Sequence, residues 1–197
     1  MKPTILRTDE VQRLARDGVV TVRRPVKVKG FYFIANGAPG IPKGSYCVDE
    51  DYGRTTHVYG VEAFIKKHCP LGSVGEERWV RETWAESVDG HGKAGVVFKA
   101  DGWHHFDGRW RPSIRMPRWD SRFTVTTESV RVQRVGEITE EEAKAEGAEK
   151  QVIPDLGQTW KSYKAGFEYY WDSLYAKQGY GWDTNCWTWV VELRRMK

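Results

Sequence analysis

The run Phe123–Val135, F-T-V-T-T-E-S-V-R-V-Q-R-V, constrains the fold most. Thirteen residues rich in Val and Thr, with no Gly or Pro, form a strand longer than most. Its alternation changes phase near Glu128-Ser129, which predicts a bulge or a division into two strands. Further strands are predicted at Val19–Val26, Phe31–Ile34, Arg78–Trp84, Gly95–Lys99 and Trp187–Leu193. In Arg78–Trp84, alternation sets Trp79, Arg81 and Thr83 on one face and Val80, Glu82 and Trp84 on the other.

Helices are fewer. Thr8 or Asp9 can cap a short one over Glu10–Arg16, with Gly18 as its stop and Val11 and Leu14 facing inward. Val61–His68 can form a second. Thr139 and Glu142 make a capping box for a helix ending at Gly147. Lys161–Ala176 is the clearest, with Phe167, Tyr170, Trp171 and Leu174 on one apolar stripe. The strands are not separated by regular helices. They favour an α+β fold: a mixed or antiparallel β barrel with two or three flanking helices.

The chain has 197 residues, enough for one domain, residues 1–197, with its own core. Residues 36–60 are rich in Gly, Pro and Asp and read as an irregular excursion or hairpin. Cys47, Cys69 and Cys186 are odd in number and lack C-x-x-C spacing, and no signal peptide or membrane-spanning run is visible. A cytoplasmic protein with reduced thiols is expected, without membrane contact. His57, His68, His91, His104 and His105 show no zinc-site spacing either, so neither metal nor other cofactor is expected.

Charge is the functional clue. The net value is only +4, but it is unevenly spread. Glu137–Glu149 holds six glutamates and one lysine, whereas Arg109–Arg122 holds five arginines and one aspartate. This second stretch, R-W-R-P-S-I-R-M-P-R-W-D-S-R, interleaves Arg109, Arg111, Arg115, Arg118 and Arg122 with Trp110 and Trp119. Pro112 and Pro117 keep it extended or turned. Guanidinium groups can grip phosphates while indoles stack on bases. Arg23, Arg24 and Lys27 form a second basic cluster, and Trp182 sits on the turn G-Y-G-W-D, which has no phosphate-loop motif. Each residue also has a structural alternative: Arg24 could pair with Glu82 or Glu146, and Trp182 could pack under the last strand.

Several segments in order resemble phage and prophage proteins that carry an ASCH domain, part of the PUA-like superfamily. They are Thr21–Lys27 (T-V-R-R-P-V-K), Gly75–Ala85 (G-E-E-R-W-V-R-E-T-W-A), Trp110–Arg122, Ser129–Gly147 and Phe167–Leu193. Residues 36–70 and 87–108 match none of this and read as insertions. The resemblance implies a PUA-like barrel with a cleft bordered by helices, bacterial-host cytoplasm, and binding of RNA or of single-stranded or modified DNA. It implies that Arg23, Arg24 and the Arg81–Glu82 strand border the cleft. Some members are hydrolases that use a Lys, a Thr and a Glu. Glu146 matches the Glu, but Val19 and Val22 stand at the Lys and Thr positions of the G-x-K-x-x-T-x-R motif. Valine can neither activate a nucleophile nor donate to an oxyanion, which counts against a nucleoside amidohydrolase. A ribonuclease using Glu82 or Glu146 as acid or base, and a phage protein-interaction module, are the alternatives. Four to six cationic contacts would give a log-affinity against log-salt slope of roughly −3 to −5.

Overall fold

The computed structural model describes residues 1–34, 44–50, 55–88, 94–102, 106–150, 152–153, 158–159 and 162–196. The strands run β1 Lys2–Ile5, β2 Val19–Pro25, β3 Phe31–Ile34, β4 Ser45–Glu50, β5 Thr55–Tyr59, β6 Glu77–Arg81, β7 Trp84–Val88, β8 Ala94–Phe98, β9 Thr124–Arg134, β10 Val152–Ile153, β11 Gln158–Thr159 and β12 Trp187–Arg195. The α-helices are α1 Thr8–Asp17, α2 Val61–His68, α3 Glu140–Ala145 and α4 Tyr163–Tyr175. The fold is α+β, with four helices among the described residues where two or three were expected.

Strand β9 is the spine. It pairs antiparallel with β12 along most of its length and with β6 at its start. Glu192 faces Ser129 while Leu193 faces Thr127, so Glu128 is the extra residue of a bulge. The bulge lies where the sequence alternation breaks. The sheet order is β1-β6-β9-β12-β2, with β1 parallel to β6 and β2 antiparallel to β12. Strands β1 and β2 are edges and do not pair with each other, so the expected closed barrel is not formed among the described residues. Pro3 within β1 and Pro25 at the end of β2 lack the N–H that a central strand must donate, and proline is accordingly an edge residue.

One sheet face carries Val20, Val22, Val80, Val125, Trp189, Val191 and Leu193, buried against Val11 and Leu14 of α1 and Phe64 and Ile65 of α2. The three-stranded sheet β3-β4-β5 extends this core, with Phe31 stacked on Phe64 at 4.9 Å between ring centroids. Alternation turns Arg23 to the opposite face, where α3 and α4 pack. A second cluster there contains Val135, Ile138, Ala143, Phe167, Trp171 and Tyr175. Within the α4 stripe Phe167 and Trp171 are buried, and Tyr170 and Leu174 pack partly buried beside them.

Local chemistry sets the helix ends. Arg7 precedes α1, and its backbone N–H donates to the Glu10 carboxylate at 2.8 Å. Gly18 closes α1 in the left-handed region at φ 74°, where a Cβ is strained. Thr139 Oγ1 accepts from the Glu142 N–H at 3.2 Å, as its capping box predicts. Two expectations need correction. Arg78–Trp84 is not one alternating strand: β6 ends at Arg81 and β7 begins at Trp84. Trp79 and Val80 are both buried because both faces of β6 are covered. The expected caps Thr8 and Asp9 lie inside the first turn of α1, whose N-cap is Arg7, and the residues ahead of it form edge strand β1.

Candidate functional site: an anchored arginine loop beside an edge-strand cavity

Loop Arg109–Arg122 is built from turns, each started by a proline. Pro112 and Pro117 lead into single 3-10 turns at Ser113–Arg115 and Arg118–Asp120. Four contacts fasten the loop to the end of β6 and the start of β7. The Arg111 N–H donates to the Trp84 carbonyl at 2.7 Å. Met116 is wholly buried, and its sulfur accepts from the Glu82 N–H at 3.3 Å. Ser121 Oγ donates to the Val80 carbonyl at 2.8 Å. Arg122 forms a fork with Glu82, at 2.9 Å for both contacts, and also reaches Asp101 at 2.7 Å.

Between these anchors the loop faces water. Trp119 is 85% exposed and Ile114 is 64% exposed. Arg109, Arg115 and Arg118 are exposed, and their side chains make no hydrogen bond or ion pair among the described residues. Their guanidiniums keep all their donors free. The other candidates here are partly engaged. Arg111 is ion-paired to Glu86 at 2.9 Å and lies over the Trp84 ring. Trp110 is half-buried against Phe106, with centroids 4.7 Å apart. Arg122 is occupied by its two carboxylates.

The second feature is a cavity of about 470 Å³ between edge strands β1 and β2. Thr4, Arg24, Lys27, Arg81, Tyr175 and Trp189 contribute to its walls, and no described Asp or Glu does. Arg24 spans to the wholly buried Glu10 at 2.6 and 2.7 Å, and Arg7 reaches the same carboxylate at 2.6 Å. Burial alone would raise the Glu10 pKa, but Arg24 and then Arg7 outweigh it and hold the carboxyl below its ordinary value. Lys27 sits at the rim, donating to Gln178 at 2.8 Å. Arg81 lies over the Trp79 ring at 4.8 Å, with its Nε buried and unpartnered. Thr4 Oγ1 is also buried without a partner.

Structure corrects several candidate roles. Arg23 is 1% exposed and paired with Glu146 and Glu142, so it cannot reach a phosphate. The arginine pairings also differ from those weighed on sequence: Arg24 takes Glu10, Arg23 takes Glu146 and Arg122 takes Glu82. Trp182 is half-buried edge-on to Phe167, and its backbone N–H donates to Asp172 at 2.6 Å. It belongs to the second core cluster. Burial pushes the Glu82 and Glu146 carboxyls up, with Arg122 and Arg23 only partly offsetting it. Neither lines the 470 Å³ cavity or a second one, about 480 Å³, between α1 and α3. An acid or base must reach the substrate proton, and these two are turned toward arginines instead.

The described residues contain no group of three or more His, Cys, Asp or Glu placed to hold a metal, while His91, His104 and His105 lie outside them. No described helix is long and apolar enough to cross a membrane. Sequence reasoning omitted Thr4 and Tyr175 because only β1 pairing and the α4 position bring them to the cavity. It placed Arg81 on the cleft wall without assigning it a ligand. No protein-family model, curated protein or solved structure gives a significant match to this chain.

Proposed function

We propose that the protein binds single-stranded nucleic acid, RNA or DNA, on the Arg109–Arg122 loop. The carrying observation is Trp119, 85% exposed on an anchored turn beside Arg115 and Arg118, which have no described partner. A lone exposed apolar side chain is ordinary. Here the indole comes with free guanidiniums on a loop that four contacts hold in place. Stacking on a base is tolerant of sequence, and the arginines supply phosphate contacts. The ordered motifs that resemble ASCH-domain proteins favour the same reading, with the five-stranded sheet as a PUA-like barrel opened between β1 and β2.

The test is fluorescence anisotropy with labelled single-stranded RNA and DNA. Trp119→Ala should weaken binding roughly 5- to 150-fold, the effect of losing one stacked base at about 1–3 kcal/mol. Its thermal stability should match the wild type, because the indole is solvent-exposed. Unchanged affinity for both strands would remove the stacking role and the proposal with it.

A further inference from the structure

We infer that the cavity between β1 and β2 is a site for a nucleoside monophosphate, either free or as the phosphorylated end of a strand. Its walls carry the guanidiniums of Arg24 and Arg81 and the ammonium of Lys27, with no described carboxylate among them. Two carboxylates serve the three arginines behind this wall: Arg7 and Arg24 share Glu10, and Asp9 is shared by Arg7 and Arg13, which leaves one positive charge in excess. An electropositive hollow with low-dielectric walls selects anions.

Two buried polar groups on the wall remain unanswered. Arg81 Nε and Thr4 Oγ1 have no hydrogen-bond partner, and Thr4 is 3% exposed. Leaving such groups unmade is costly, and phosphate oxygens would satisfy both the guanidinium and the hydroxyl. The remaining wall is mostly apolar: Pro3, Pro25 and Pro70 line the space with the rings of Tyr175, Trp189 and His68. Rigid rings and prolines suit a planar heterocycle better than a flexible chain. A volume near 470 Å³ falls in the range of small-ligand sites. The choice of a nucleotide over another ring-bearing anion rests on the nucleic-acid reading of the neighbouring loop, which is fastened to the strand that carries Arg81.

The test is isothermal titration calorimetry on the full chain with uridine and adenosine 5′-monophosphates, the matching nucleosides, inorganic phosphate and benzoate. A monophosphate should bind at least tenfold more tightly than its nucleoside. Arg81→Gln should abolish that difference, and Thr4→Val, which keeps the shape, should weaken monophosphate binding several-fold. Arg81→Lys retains the charge and should restore part of the affinity, with circular dichroism confirming the fold of each variant. Trp119→Ala should leave monophosphate binding unchanged, so failure of the loop reading and failure of this one are separable. Given monophosphate binding, a 5′-phosphorylated oligonucleotide that outcompetes its 5′-hydroxyl twin assigns the source to a strand end. Equal competition assigns it to the free nucleotide. No binding by either monophosphate, equal binding by nucleoside or benzoate, or an Arg81→Gln protein that still discriminates would overturn the inference.

Discussion

Glu10 shows how residue-scale electrostatics shapes this protein. Its carboxylate is wholly buried, held by Arg24 and Arg7, and closes the first turn of α1 through the Arg7 N–H. Removing one member of a buried pair leaves the other charge without compensation, so Glu10→Gln should cost about 3 kcal/mol at pH 7. The pH dependence has a definite sign. The folded pKa of Glu10 lies below its ordinary 4.5, so its contribution is present above that value and lost as pH falls through the folded one. Urea melts at pH 7 and at steps below 4.5 should show the gap between wild type and Glu10→Gln narrowing with acidity. A constant gap would show that Glu10 is not held ionised by its arginines. Glu82 and Glu146 act in the opposite direction. Their folded values are raised, so their contribution is greatest below 4.5 and falls as pH rises through the folded values. The residue types were legible in the sequence but the pairings were not. The partners of Arg24, Arg122 and Arg23 lie 14, 40 and 123 positions away, and no local pattern encodes contacts made only by the finished sheet.

At the scale of elements, signals confined to a few neighbouring residues were readable. The Thr139 capping box, the Gly18 stop, the α4 stripe and the β9 phase shift all lie within one element and all appear in the fold. Elements defined by distant pairing were not readable. Four residues of β1 become a strand only because β6 lies beside them in parallel, and the break after Arg81 follows from the loop anchored there. One close approach between elements gives a test. Gly166 of α4 packs against the backbone of Glu149, and a Cβ at that position would overlap the Glu149 carbonyl oxygen. Alanine gains up to about 1 kcal/mol of helix propensity over glycine. Overpacking against a backbone atom costs about 1–3 kcal/mol, so the clash should win. Gly166→Ala should therefore lower the thermal midpoint, despite alanine being the better helix former. A raised midpoint would show that α4 is not held this close to residue 149.

Across the whole molecule, charge is segregated more sharply than the net +4 implies. The glutamates of the α3 region are partly consumed by structural pairs, with Glu142 and Glu146 holding Arg23. The arginine loop spends Arg111 and Arg122 on Glu86, Glu82 and Asp101 and leaves Arg109, Arg115 and Arg118 without described partners. Composition counts five arginines in the loop, while the structure leaves three for a polyanion. That number changes the salt dependence expected from sequence. Three phosphate contacts on a single strand give a log-affinity against log-salt slope of about −2, at roughly 0.7 per contact, in place of −3 to −5. The most direct measurement is the affinity for a labelled single-stranded oligonucleotide across a salt series, on the wild type and on Arg115→Ala/Arg118→Ala. The wild-type slope should be about −2, and the double variant should lose most of it, retaining about −0.7 from Arg109. A flat wild-type response, or a slope the double variant leaves unchanged, would contradict nucleic-acid binding at this loop.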